Sequence, residues 1–209
     1  MKLTSKSFQN GSRIPPRFAF GKHDPASHIA LSDNCNPHLE WTDLPKGTKS
    51  LALVMHDPDV PSRPDDVNKE GRVVRASLPR VEFFHWALVD LKPEPNAIPE
   101  AEFSRGVTAR GKPGPDAPRG TRQGLNNYTQ WFASDEQMRG EYFGYDGPCP
   151  PWNDELLHHY HFTLYALDVD RCPVSAKFSG EDVRRAVEGH VLAQASIVGT
   201  YAINPNVKG

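Results

Sequence analysis

The chain has 209 residues and a formal net charge of -2, long enough to bury a core without metal or disulfide staples and lacking the basic field that broad nucleic-acid or anionic-membrane binding requires. Its 20 prolines and 16 glycines favour many turns and short strands over a helical bundle. Cys35, Cys149 and Cys172 are odd in number and lack paired spacing, as expected of a chain kept in a reducing cytoplasm.

The first eight residues lack the apolar core of a signal peptide, and no apolar run reaches bilayer length, so the expectation is a soluble, unexported single domain spanning 1–209. Residues 50–56 are apolar on both parities, Leu51, Leu53 and Met55 against Ala52 and Val54, as in a strand buried between layers. Asp57-Pro58 is expected to end it, because proline supplies no ladder donor. Residues 81–91 form a second strand, with Val81, Phe83, His85, Ala87 and Val89 on one parity and Phe84, Trp86 and Leu88 on the other. A polar His thus sits inside an apolar stripe. The stretch 109–144 fits no regular pattern and is read as an insertion holding about one helical turn, of the kind that serves as a lid or binding element. Residues 158–167 are the third strand, dense in Tyr, Phe, Leu and Thr. Ser179 caps a short helix through Asp182, with Val183, Ala186 and Val187 on its apolar face and Gly189 as its stop, and 191–203 read as a final strand. Strands joined by long irregular loops, with one helix late in the chain, favour an antiparallel β-sandwich over an alternating α/β fold.

Three of these segments carry polar groups to what reads as one end of the sheet. Asp57 lies on the parity of Leu51, Leu53 and Met55, His85 interrupts its own stripe, and His158 opens the third strand on the parity of Tyr160 and Phe162. If the strands are neighbours, a carboxylate, imidazoles and a phenol share a pocket able to grip a small anion. Asp57 beside His85 would keep the imidazole protonated as a donor to an oxyanion. Such a pair is neutral overall and suits a monoanionic phosphate whose P–OH donates to Asp57. In Gly147-Pro148-Cys149-Pro150-Pro151-Trp152 the prolines form a rigid wall, ordered before any ligand arrives, and remove several backbone donors.

Other chemistries find less support. His158, His159 and His161 do not make a metal site, since His159 points away from the opposite-parity His158 and no Cys/His set completes it. Cys149 between prolines reads as a packing residue rather than a thiolate nucleophile, and no nucleophile elbow, Walker loop or dinucleotide fingerprint is present. No metal or cofactor is expected. Arg105, Arg110, Lys112, Arg119 and Arg122 are read as a solvated basic loop.

At these residues the chain resembles the phosphatidylethanolamine-binding protein family, in its bacterial Raf-kinase-inhibitor-like branch. Asp57-Pro58-Asp59-Val60-Pro61 is similar to the family's Asp-Pro-Asp-Ala-Pro motif, and Gly147-Pro148-Cys149-Pro150-Pro151 followed by His158-His159-Tyr160 is similar to its Gly-Pro-Cys-Pro-Pro and His-Arg-Tyr motifs. Phe84-His85-Trp86, Pro37-His38-Leu39-Glu40-Trp41 and Tyr165-Ala166-Leu167-Asp168 extend the likeness from about Asn34 to the last strand. The resemblance implies a β-sandwich of that family's type, a pocket for phosphate-like groups or phospholipid head groups, and ligand-binding roles for Asp57, Pro61, His85, Gly147, Pro151, His158 and Tyr160. It also implies modulation of a protein kinase or another signalling partner, a homodimer in some members, and no settled catalytic activity. Two departures stand out: the link from Asn126-Asn127-Tyr128 to Tyr145 is long, and the C-terminal Ala202-Ile203-Asn204-Pro205 is not followed by the extra helix of animal members.

Three functions are therefore carried forward. The first is a non-enzymatic binder of a small anionic or phosphorylated ligand. The second is a hydrolase using the Asp-His pair as general base beneath the insertion. The third is an interaction domain whose pocket is collapsed.

Overall fold

Consecutive apolar residues at 51–55 need partners on both faces, and the fold supplies them by stacking layers around one central strand. The computed structural model describes residues 1–208. In chain order it contains β1 (Lys2–Thr4), β2 (Gly21–Asp24), β3 (His28–Leu31), β4 (Leu39–Thr42), β5 (Ser50–Pro61), β6 (Arg80–Leu91), β7 (Ala97–Ile98), β8 (Arg122–Gln123), α1 (Tyr128–Trp131), β9 (His158–Leu167), α2 (Gly180–Ala186) and β10 (Val191–Tyr201). The larger sheet has the order β10-β9-β5-β6-β8, the smaller β1-β4-β7, and β2-β3 form a separate hairpin, every pairing being antiparallel.

One core lies between the two sheets, where Leu51, Leu53, Met55, Trp86, Leu88, Phe162 and Leu164 meet Leu3, Leu39, Trp41 and Ile98. A second lies on the opposite face, where Ala52, Val54, Ala87 and Val89 pack beneath Phe178, Val183 and Val187 around α2. At about 1.5–3 kcal/mol for each large side chain removed from water, both faces of β5 hold the layers together. The fold is the mainly β, antiparallel sandwich with short peripheral helices that the sequence suggests.

Details of the strands depart from the simple patterns. Asp57-Pro58 does not end β5: pairing with β6 resumes at Val60 opposite Val81 and Pro61 opposite Arg80, after a bulge that follows Asp57 opposite Phe83. The proline's missing N–H falls inside that bulge and costs the ladder nothing. A second bulge lies on β6, where Met55 faces Trp86 and His56 faces Phe84, leaving His85 unpaired. Phe84 therefore joins the α2 core, whereas Trp86 enters the core between the sheets. Strict alternation had placed Phe84 and Trp86 together; the extra residue separates them.

Helix α2 begins as its residues suggest. The Ser179 side chain accepts from the Asp182 N–H while the Asp182 side chain accepts from the Ser179 N–H, and Gly189 takes a positive φ of 80° beyond the helix.

The stretch 109–144 is tied into the body rather than left as a solvated loop. β8 extends the larger sheet, and α1 supplies the expected helical turn. Two members of the basic run are structural cations. Arg122 is buried, with Nε 2.6 Å from Asp90 and its remaining donors on the carbonyls of Val174 and Cys172. Lys112 reaches the buried Asp146 at 3.0 Å and the Tyr145 carbonyl. Arg105 and Arg110 are exposed, as expected of a loop, and Arg119 forms a bidentate pair with Glu102 at 2.6 and 2.7 Å.

Candidate functional site

The β5 bulge turns Asp57 inward at the end of the larger sheet, and the β6 bulge delivers His85 to the same place. β9 contributes His158 and Tyr160 on alternate positions, as the period of two requires. Together with Pro61, Pro151 and the aromatic rings of Phe20, Phe83, Tyr128 and Phe132 they line a cavity of about 190 Å³. Leu31 and Trp131, respectively 60% and 44% exposed, also line it. The predicted site residues Asp57, Pro61, His85, Pro151, His158 and Tyr160 are thus brought together.

Gly147 is not among the lining residues. Its N–H donates to Asn34 Oδ1 at 2.8 Å and its carbonyl accepts from the Tyr128 hydroxyl at 2.8 Å, so neither group is free for a ligand. A Cβ there would lie 2.0 Å from the Phe18 carbonyl oxygen, so glycine is required for close backbone approach. The structure places Gly147 at a close-packed backbone position outside the cavity lining.

The carboxylate–imidazole pair also differs from expectation. Asp57 engages His158 rather than His85, with Oδ2 2.7 Å from His158 Nδ1, while its Oδ1 accepts from the Asp59 N–H at 2.8 Å. The other ring nitrogen, Nε2, lies 3.2 Å from Asp154, which is held in turn by Arg80 at 2.6 and 3.0 Å. Both nitrogens of His158 face carboxylates, so both donate and the ring is an imidazolium. Burial opposes that charge, but the Asp57 and Asp154 carboxylates outweigh it and raise the pKa to about 9. Burial would likewise push Asp57 up, yet the His158 charge and its hydrogen bond leave the carboxyl below its usual range. Arg80, Asp154, His158 and Asp57 make a chain of alternating charges that sums to zero.

His85 has a different setting. Its Nδ1 lies 2.8 Å from the Asp146 carbonyl oxygen, and burial lowers its pKa despite the opposing Asp57 and Asp146 charges. The ring is therefore neutral rather than the protonated donor expected. The Asp146 side chain is fixed from three sides by Asn34 at 2.7 Å, Asn126 at 2.7 Å and Lys112 at 3.0 Å. This arrangement anchors the carbonyl that orients His85. The Tyr160 hydroxyl is buried without a hydrogen-bond partner, and burial followed by the Asp57 charge raises its pKa well above normal. Burial also pushes the Cys149 thiol up to about 12, so it is not a thiolate.

Sequence reasoning missed Asp154, Arg80, Asp146 and the aromatic wall. Asp154 stands four residues before His158, but in a loop that spacing has no fixed geometry. His159 does point away from His158, pairing with Asp59 at 2.8 Å. Among the described residues no group of three or more His, Cys, Asp or Glu is disposed to hold a metal, and no helix is long and apolar enough to cross a membrane.

Residues 4–202 match the phosphatidylethanolamine-binding protein family. The chain belongs to this family. Within the family it is 30% identical over 204 residues to the UPF0098 protein YbhB of Escherichia coli K12, covering 97% of this chain and all of the relative. It is 31% identical over 206 residues to a UPF0098 protein of Methanothermobacter thermautotrophicus, covering 96% and 98% of the two chains. The crystal structure of E. coli YbcL, described as a member of the mammalian PEBP family, superposes with a TM-score of 0.67 at 25% identity, covering 96% of this chain and 97% of that one. The Chlamydia trachomatis PEBP homologue CT736 superposes with a TM-score of 0.60 at 26% identity, covering 96% and 95%. Members of the PEBP family are in general ligand-binding proteins.

Proposed function

We propose that the protein binds a small ligand bearing an anionic or phosphoryl group, a free phosphate or a phospholipid head group, in the cavity lined by Asp57, His85 and Tyr160. The observation that carries this reading is His85 Nε2, which has no hydrogen-bond partner among the described residues and shares a cavity wall with the Asp57 carboxylate. Buried polar groups are nearly always paired, so an unpaired imidazole nitrogen on a cavity wall favours a ligand-binding role. The prolines and the Arg80–Asp154–His158–Asp57 chain support it further, because a wall ordered beforehand reduces the entropy lost on binding. His158 and Asp154 are spent on this scaffold and act through Asp57.

The resemblance extends the proposal to modulation of a protein kinase or another signalling partner, and the three free cysteines fit a cytoplasmic setting. Isothermal titration with phosphate and phosphoethanolamine tests the binding. Saturable heats that vanish in His85→Ala are expected. Unchanged affinity in that variant would reject the assignment, and turnover of phosphate esters lost in Asp57→Ala would favour the hydrolase reading.

A further inference from the structure

The tautomer of His85 constrains what the pocket can accept, given the binding reading above. A carbonyl oxygen can only accept, so the 2.8 Å contact between His85 Nδ1 and the Asp146 carbonyl places a proton on Nδ1. In the neutral ring Nε2 is then a bare lone pair. It has no hydrogen-bond partner among the described residues and is not sealed within the protein. Asp57, the other polar group at the cavity end, is an ionised carboxylate and also only accepts.

The side-chain donors of the lining sit on exposed residues, Asn68 Nδ2 and Trp131 Nε1, neither of which has a partner among the described residues, while the Tyr160 hydroxyl is sealed from solvent. Of the backbone groups in 147–152, Gly147 N–H is taken by Asn34, Trp152 N–H by Asn68, and the prolines have none, leaving Cys149 N–H without a partner in the protein. An oxyanion with no hydrogen of its own would turn its lone pairs toward those of His85 and Asp57. Neither contact is a hydrogen bond.

We propose that the site takes its ligand together with one proton, so that an oxyacid retaining an acidic hydrogen binds directly while an oxyanion without one binds only as His85 gains a proton at Nε2. The balance is simple. Monohydrogen phosphate keeps a P–OH that donates to Asp57 or His85, so it enters with no proton exchanged. Sulfate plus one solvent proton gives sulfate against imidazolium. The groups facing His85 are Asp57 from β5, His158 and Tyr160 from β9, Tyr128 from α1, and Asp146 with Lys112 behind it. Asp57 and Asp146 favour the added proton and His158 opposes it. The ligand class that follows is the oxyanion that retains an acidic hydrogen, such as hydrogen phosphate or a phosphate monoester as its monoanion, in preference to fully ionised anions.

The test is isothermal titration of the full chain with inorganic phosphate and with sulfate, between pH 6 and 9, in buffers of different ionisation enthalpy. Near pH 8.5 sulfate is expected to bind with uptake of about one proton and with an affinity that falls about tenfold per pH unit in the alkaline range, whereas monohydrogen phosphate should bind with no proton uptake. In ¹⁵N-histidine spectra His85 Nε2 should change from unprotonated to protonated on adding sulfate, a readout that needs no variant. His85→Gln supplies a donor that does not titrate, so its sulfate affinity should be flat over the same range. Sulfate binding with no proton uptake and no pH dependence would overturn the inference yet leave the binding site standing. No binding of either ligand at any pH would overturn the binding reading as well.

Discussion

The charge on His158 makes stability fall at alkaline pH, by an amount that can be worked out. The folded-state pKa is about 9, against an ordinary imidazole value of 6.5. A group whose pKa is raised on folding contributes stability that is fully present below the unfolded value and lost as pH rises through the folded value. The window is therefore pH 6.5 to 9. Within it the folded state holds one proton more than the unfolded state, so unfolding free energy should fall by about 1.4 kcal/mol per pH unit, or roughly 3 kcal/mol in all. The steepest and cleanest part lies between pH 7.5 and 8.5. Below it, His56, lowered by burial to about 4, begins to contribute in the opposite sense, and above it Cys149, raised by burial to about 12, adds its own alkaline loss. Urea denaturation at quarter-unit intervals of pH measures the slope. In His158→Gln the slope in this interval should vanish while the free energy at pH 7 drops by about 3–5 kcal/mol, since Asp57 and Asp154 lose the cation between them. Should that variant not fold, Asp57→Asn supplies the second arm: with one carboxylate left, the pKa falls and the loss moves to lower pH. A wild-type stability that is flat from pH 7.5 to 8.5 would refute the imidazolium assignment.

Three further outcomes follow from the packing. Gly147→Ala should destabilise by about 1–3 kcal/mol or more, because its Cβ would meet the Phe18 carbonyl oxygen at 2.0 Å; an unshifted urea midpoint would mean that this backbone contact relaxes freely. Ser179→Ala should cost about 1 kcal/mol by opening the reciprocal cap with Asp182, read in the same denaturation assay, and a loss below a few tenths would count against the cap. Lys112→Met should cost about 3–5 kcal/mol by stranding the Asp146 carboxylate, and adding Asp146→Asn should recover part of that loss. Strict additivity of the two substitutions would show that the buried pair does not interact.

Much of the fold can be read from residue periodicity because the relevant forces are local or averaged over many side chains. Residues 51–55 had to be covered on two faces, 158–167 had to place His158 and Tyr160 on one side, and Ser179 with Asp182 had to start a helix. The polar site was legible as a meeting of segments. Its pairings were not, because a choice between two imidazoles for one carboxylate depends on displacements of a few ångströms that bulges create. One extra residue at His85 and another between Asp57 and Val60 change which atoms meet without changing the hydrophobic pattern. The fates of Lys112 and Arg122 were hidden for a related reason: a basic run carries no mark of which members will find Asp146 and Asp90 waiting beneath them.

The two buried imidazoles show how one residue type can serve two ends within a single cavity. His158 has a carboxylate on each nitrogen, keeps its charge and completes a rigid, neutral chain from Arg80 to Asp57. His85 has a carbonyl on one nitrogen and open space on the other, loses its charge to burial and retains an unspent valence toward the cavity. Were the partners exchanged, Asp57 would be left facing a neutral ring and the cavity would present a permanent cation, attractive to every anion whatever its protonation. The observed division instead makes the first imidazole a support and the second a discriminator. Selectivity for a proton-bearing ligand then follows from the backbone carbonyl of Asp146, a group that no side-chain motif encodes.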